Sequence, residues 1–263
     1  NKTSKTTRQG NRMNLTLIGY GFVGKAVYEV LKDHHDIKIV DPQYNKNVIT
    51  DDADGYVICV PTPSSDDGSC NMDIVNTVVK ACPLDKPILI KSTISLEGWR
   101  KDLEPQGKKI TFSPEFLTAA NANEDFKNQD KMLFGGRDKE FWNDVFIECK
   151  AFDPIYATVE ELILTKYLRN SFLATKVAFF NEVYDLCESA GIDYNQVKAL
   201  VGEDKRITHS HMQIPGPDGD RGFGGACFPK DTEALLYSAN VVGAWLPILS
   251  TAVKSNKNIR KET

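Results

Sequence analysis

The chain has no C-x-x-C pair, no long apolar run and no excess of basic residues, and each absence removes a class of protein. The six cysteines (Cys59, Cys70, Cys82, Cys149, Cys187 and Cys227) are scattered. That spacing argues against a disulfide framework or a zinc site and for free thiols in a reducing compartment, so a cytoplasmic location is expected and no metal. The longest apolar stretch, Val241 to Val253, is broken by Pro247 and polar residues and falls short of the roughly 18 residues a membrane span needs. Lysine and arginine total 32 against 36 aspartates and glutamates, a net charge of −4. Such a balance offers no field for nucleic acid, so an anionic ligand must be held locally. No secretory leader is read at the start, because Asn1 to Arg12 is polar and basic without a hydrophobic centre. Residues 1–12 are expected to form a flexible head or leader, and the Asn-x-Thr at Asn14 is discounted as a glycan site because it falls in a strand. What is present is ordinary for a globular chain: 263 residues, 41% apolar and 26% charged. This is enough for one large domain or two modest ones with their own cores.

From Met13 to about Phe152 short apolar runs alternate with helical patterns: Asn14–Ile18, Ile37–Val40, Tyr56–Val60, Ile88–Lys91, Ile110–Phe112 and Lys131–Phe134. The rhythm predicts an α/β fold, a Rossmann-like doubly wound parallel sheet with crossover helices over residues 13–155. After Asp153 no further strand is expected. Thr158 and Glu161 form a capping-box pattern, and helical periodicity then runs without glycine or proline to Ala190, where Gly191 stops it. At 1.5 Å per residue such a helix is about 45–50 Å long, the spine of an all-α domain over residues 156–263. A shorter helix follows from Asp193, capped with help from Gln196, and ends before Gly202. Glu203 to Pro229 then reads as a loop rich in glycine and proline, a length that usually marks function. Helical patterns resume from Asp231 to about Asn240 and from about Pro247 into the charged end.

The first chemical signal is Gly19-Tyr20-Gly21-Phe22-Val23-Gly24, a G-x-G-x-x-G between a strand and a helix, Phe22–Leu31. Its glycines permit a tight turn, close approach to a pyrophosphate and close helix–strand packing, while the helix N-terminus supplies amide donors. The next strand ends in Asp41, where a carboxylate takes ribose hydroxyls and repels a 2′-phosphate, favouring NAD over NADP. Lys46 is placed either to neutralise a phosphate or to sit in solvent. Polar residues at three later strand ends, Thr62, Thr93 and Glu115, would line the nicotinamide side, although each alone could be a turn cap; Glu115, Phe116 and Leu117 of the last end are also expected to bind the substrate. Inside the long helix, Leu162, Lys166, Asn170, Leu173, Val177, Phe180 and Tyr184 share one stripe, so two polar side chains interrupt an apolar face. A buried lysine there suits oxyanion stabilisation or proton transfer, whereas a snorkelling stem would leave it in solvent. Finally, Gly222-Phe223-Gly224-Gly225-Ala226-Cys227-Phe228-Pro229-Lys230-Asp231 sets a cysteine in a glycine-rich turn before a helix, beside a cation. Both features favour thiolate, making Cys227 the best-placed nucleophile of the six. A nicotinamide fold with a nucleophilic cysteine suggests oxidation of an alcohol to an aldehyde, capture as a thiohemiacetal, oxidation to a thioester, and hydrolysis.

In their order, GYGFVG, VPTP, KST, SPEFL, LTKYLRNSFLATKVAFFNEV and GFGGACFPKD resemble the UDP-glucose/GDP-mannose dehydrogenase family, over Met13 to about Lys261. The resemblance implies an NAD-dependent four-electron oxidation of a sugar C6 hydroxyl to a carboxylate, with two NAD used per nucleotide sugar. It implies Cys227 as nucleophile, Lys166 as stabiliser of alkoxide and oxyanions, and Asn170 as its partner at the sugar. Asp231 with Thr93 would hold or activate water, and Glu115 would be the acid–base group for hydrolysis. Lys230, Thr62 and Thr93 would approach NAD; Gly224 and the preceding loop, including Arg206, would contact the sugar nucleotide. The stretch HSHMQIPGPDGD is closer to the UDP-glucose branch, and the long helix implies a homodimer.

Two departures stand out. Where the family continues SPEFL with a basic residue and a second glutamate, this chain has Thr118-Ala119-Ala120, one carboxylate fewer. The family's third, nucleotide-binding domain would begin where this sequence stops, leaving a partner polypeptide, a natural short form and a shortened chain as readings. The rivals are a GDP-mannose or UDP-N-acetylmannosamine dehydrogenase, a one-hydride β-hydroxyacid dehydrogenase that would use Lys166 and Asn170 without Cys227, and a non-catalytic NAD-binding module.

Overall fold

A computed structural model describes residues 12–118 and 121–261. Residues 1–11 of the expected head, and Ala119 and Ala120 of the departure after SPEFL, lie outside the described residues. The chain divides into two compact units: one runs to Thr62 and from Met72 to Ile163, the other comprises Pro63–Asn71 and Leu164 onward.

The first unit is built on seven strands, β1 (Asn14–Ile18), β2 (Asp36–Val40), β3 (Gly55–Ile58), β4 (Ile88–Ile90), β5 (Ile110–Phe112), β6 (Lys131–Gly136) and β7 (Asp153–Tyr156), in the order β2-β1-β3-β4-β5-β6-β7. Helices α1 (Phe22–Leu31), α2 (Asp73–Ala81), the short turn α3 (Leu96–Gly98), α4 (Ala122–Asn128) and α5 (Lys139–Ile147) connect them. Registers such as Leu15↔Ile37 and Leu17↔Val57 put aliphatic residues on one face. There Leu15, Leu17, Val57 and Leu89 meet Ala26, Val27, Phe126, Trp142 and Phe146 in one buried cluster. Strands buried on both faces are what a parallel sheet with crossover helices demands. His35 is buried too, its Nε2 3.1 Å from the Val145 carbonyl oxygen.

Two features depart from the sequence reading. β5 and β6 pair antiparallel, so the sheet is mixed rather than wholly parallel. A seventh strand exists beyond Asp153: β7 pairs parallel with β6 at the edge of the sheet. Its four residues, Asp-Pro-Ile-Tyr, are all exposed. An edge strand need not alternate and tolerates proline, which is why neither signal marked it.

The second unit is helical. Helix α6 (Val159–Ala190) carries the chain into it, followed by α7 (Tyr194–Gly202), α8 (Phe228–Val241) and α9 (Pro247–Ile259). The capping box at the start of α6 forms as read: Glu161 N–H donates to Thr158 Oγ1 at 3.2 Å, and Thr158 N–H donates back to Glu161 Oε2 at 2.8 Å. Gly191, at φ +66°, ends the helix. At α7 the cap is Asp193 alone, accepting from the Asn195 N–H at 2.8 Å. Helix α8 begins at Phe228, three residues before the expected Asp231. Proline in the first helical turn costs no hydrogen bond, and Pro229 sits there instead of ending the loop. Among the described residues no helix is long and apolar enough to cross a membrane.

Candidate active site

The sequence candidates fall into two groups, one in each unit. In the first, the turn after β1 is shaped by glycine. Gly19 has φ +91°, and a Cβ on it would sit 2.5 Å from the Cys59 carbonyl oxygen; one on Gly24 would sit 2.1 Å from the Gly19 carbonyl oxygen. Only bare Cα atoms let helix, turn and strand approach this closely. Gly21 caps α1 and has nothing within 4 Å of where its Cβ would be, so its face is open to a ligand. No acidic residue occupies the first turn of α1, leaving the helix N-terminus free to attract an anion. Asp41, just past β2, turns its carboxylate to this place: Oδ2 accepts the Tyr20 N–H at 2.6 Å and Oδ1 the Gln43 N–H at 2.8 Å. Phe22 is exposed, Val23 half-buried and Lys46 exposed. An uncovered glycine backbone, a helix N-terminus and a carboxylate on the next strand fit the pyrophosphate and adenosine ribose of NAD.

Thr62, past β3, is buried; Thr93, past β4, is half-buried; Phe116 is half-buried and Leu117 buried. Glu115 is buried, and its Oε2 accepts the Leu117 N–H at 2.7 Å. One residue here escaped the sequence reading. Lys91 is only 2% exposed, donates to Ser113 Oγ at 3.1 Å and lies 5.5 Å from the Phe126 ring centroid. The one available signal was a lysine ending the run Ile-Leu-Ile, where a strand delivers its last side chain to the sheet's carboxyl edge.

In the second unit α6 and α8 bring three candidates together. Asn170 Nδ2 donates to Asp231 Oδ2 at 2.5 Å, and Lys230 Nζ reaches Asp231 Oδ1 at 2.5 Å. Asp231 is 1% exposed, so its carboxylate is carried in the interior by one amide and one ammonium. Lys166, one helical turn before Asn170, is 3% exposed. Burial therefore decides against a snorkelling stem. Cys227 is half-buried and occupies the N-cap of α8, its carbonyl accepting the Asp231 N–H at 2.8 Å. Burial pushes the thiols of Cys59, Cys82 and Cys149 up to about 12. Arg206 lies on the surface, its guanidinium forked onto Asp204. Gly224 is half-buried, its Cα covered by the Arg260 guanidinium and the Asp218 carboxylate. Asn181, Asn256 and Arg260, which hold this turn, were not singled out from sequence. Their signal was an amide inside an apolar helical stripe: Asn256 shares the buried side of α9 with Leu249, Ala252, Val253 and Ile259.

Residues 43–159 match the NAD binding domain of the UDP-glucose/GDP-mannose dehydrogenase family, and residues 160–258 match its central domain. The chain belongs to this family. A UDP-glucose 6-dehydrogenase of Rickettsia bellii is 34% identical, across 93% of this chain and 67% of the relative. The UDP-glucose 6-dehydrogenase YwqF of Bacillus subtilis is 30% identical, across 94% of this chain and 66% of the relative. Among solved structures, a UDP-glucose dehydrogenase from the archaeon Pyrobaculum islandicum superposes with a TM-score of 0.82 at 26% identity, covering 97% of this chain and 70% of that one. The chain spans about two thirds of the length of the curated relatives it matches. As a family member it is a dehydrogenase-type protein whose cofactor is NAD.

Proposed function

We propose that this chain carries the catalytic apparatus of a UDP-glucose 6-dehydrogenase, which oxidises the C6 alcohol of UDP-glucose to the carboxylate in two steps. The observation that carries the reading is Cys227 at the N-cap of α8, four residues before the buried Asp231 that Asn170 and Lys230 hold. A one-hydride alcohol dehydrogenase has no use for that thiol. NAD, when bound, accepts one hydride in each of the two oxidations. The open turn at Gly21 would hold its pyrophosphate and Asp41 its ribose, with Lys46 nearby and Thr62, Thr93 and Lys230 toward the rest of the cofactor.

Lys166 stabilises the C6 alkoxide as the alcohol loses its proton and hydride. Cys227 then adds its sulfur to the aldehyde carbon, and Lys166 stabilises the oxyanion of the resulting thiohemiacetal. Loss of a second hydride leaves a thioester on Cys227. Water attacks the thioester carbon, the C–S bond breaks, and carboxylate and free thiol are released. Asp231 and Thr93 are assigned to that water, Glu115 to the proton transfers of hydrolysis, and Asn170 to the sugar hydroxyls. Arg206, Gly224, Phe116 and Leu117 are assigned to the sugar nucleotide.

The test is NADH formation with limiting UDP-glucose run to completion. Two equivalents per sugar support the proposal, and one equivalent supports the β-hydroxyacid type of reaction. No NADH from a chain that binds NAD would sink the catalytic reading. Lys166→Ala should lose about 3 kcal/mol of transition-state stabilisation, roughly 150-fold in kcat. Cys227→Ser should stop after the first oxidation, and full activity in that variant would refute the thioester route.

The same reading assigns a homodimer through α6. Leu164, Leu168, Phe172, Phe179 and Leu186 are all exposed and, at about 100° per residue, fall within one stripe. That stripe lies opposite the one bearing Lys166 and Asn170.

A further inference from the structure

The turn that delivers Cys227 is held from outside by side chains that the chemistry above does not use. Asn256, on α9, is 5% exposed and makes a reciprocal pair with Phe223: its Oδ1 accepts the Phe223 N–H at 2.6 Å, and its Nδ2 donates to the Phe223 carbonyl oxygen at 2.9 Å. One side-chain amide thus satisfies both the N–H and the carbonyl of Phe223. Arg260, the C-cap of α9, donates through Nε to the same carbonyl at 3.0 Å, and its guanidinium is fixed in turn by Asp218 and Asp220. From α6, Asn181 Oδ1 accepts the Gly222 N–H at 3.0 Å. The glycines make this clamp possible. A Cβ on Gly222, whose φ is +74°, would sit 2.4 Å from Asn256 Oδ1, and one on Gly224 would overlap the Arg260 guanidinium.

Phe223 transmits the hold. Its side chain is buried, and its ring lies edge-on to that of Phe228 with centroids 6.5 Å apart. Phe228 is the first residue of α8 and directly follows Cys227. Backbone and ring of Phe223 are therefore both pinned, four residues before the thiol and against the residue after it. We infer that Asn256 and Arg260 are positioning residues for Cys227, a clamp that keeps its sulfur at the N-terminus of α8, where a thiolate is favoured and the aldehyde must be met. The inference rests on the proposed role of Cys227, although the clamp has a readout of its own.

That readout is the rate at which iodoacetamide alkylates Cys227 in the free, folded protein at pH 8, followed by mass spectrometry of its peptide. Asn256→Ala should slow it roughly fivefold, the size of effect a helix terminus exerts on a charge. Asn256→Asp, which keeps the acceptor for the Phe223 N–H and loses the donor, should fall between. In turnover with UDP-glucose and hydroxylamine, Asn256→Ala should release more trapped aldehyde per NADH while KM for NAD stays unchanged. Lost folding lowers the amount of enzyme and leaves that ratio alone. An equal or faster alkylation rate in a variant with unchanged circular dichroism would overturn the clamp. Should Asn256→Ala fail to fold, Asn256→Asp and Arg260→Lys read the same rates. If the unmodified chain forms no NADH, the dehydrogenase reading fails and the alkylation comparison still decides the clamp.

Discussion

Six cysteines share one side chain and differ only in what surrounds them. Burial raises Cys59, Cys82 and Cys149 to about 12, so these remain neutral thiols at any pH where the protein works. Cys227 is half-buried at a helix N-terminus. Brief treatment of the folded protein with iodoacetamide at pH 8 should therefore modify Cys227 and spare those three, and alkylation of any of the three at a comparable rate would contradict the assignment. Asp41 should matter in a different way, through the ribose. Asp41→Ala should weaken NAD binding about tenfold by calorimetry, the equivalent of about 1.4 kcal/mol, and unchanged affinity would remove it from the site. Cys227 and Asp41 were legible because local context, a glycine turn or a strand end, is written beside them. Lys91 and Asn256 were not, since the groups that make them consequential, Ser113 and Phe223, lie 22 and 33 residues away.

Elements were read best where their signals are local. Helix α1 was placed to the residue, and α6 starts and stops where the capping box and Gly191 put it. Removing that cap gives a direct check: Thr158→Ala should cost about 1 kcal/mol. In a chain of this size that lowers Tm by roughly 2–4 °C by calorimetry, and an unchanged Tm would mean the cap contributes nothing. A methyl group on Gly24 should do more, because it must displace the Gly19 carbonyl it would overlap. Gly24→Ala is expected to abolish NAD binding by opening the turn, with far-UV circular dichroism retained. Two elements were misplaced for a shared reason. β7 is stabilised by pairing with β6, and α8 gains its first turn from Pro229 after a glycine-rich stretch. Nothing within the segment marks β7, and the mark on α8, a proline in its first turn, is a residue that ends loops as readily as it opens helices.

For the whole molecule, α6 holds apolar residues on two opposed sides, and each side has its own consequence. The side with Lys166 and Asn170 is buried, whereas Leu168, Phe172, Phe179 and Leu186 are more than half exposed. An apolar stripe this long on a 32-residue helix calls for a cover. By sedimentation velocity the chain should be a dimer and the Phe172→Glu, Phe179→Glu double variant a monomer with unchanged circular dichroism. A monomeric parent chain would refute the interface. The alternation of short strands with helices and the long helix were legible in pattern, as were Cys227, Lys166, Asn170 and Asp231 as candidates, because periodicity and motif spacing are properties of short stretches; the order of the strands, with β5 and β6 antiparallel, was not. Folding alone revealed that Asn170 and Lys230 both terminate on Asp231, that Lys166 is buried, and that Asn256 makes two hydrogen bonds to the backbone of Phe223. The Asn170–Asp231 and Asn256–Phe223 bonds join residues 61 and 33 positions apart, and no local preference of the chain encodes which distant partner a buried polar group will find.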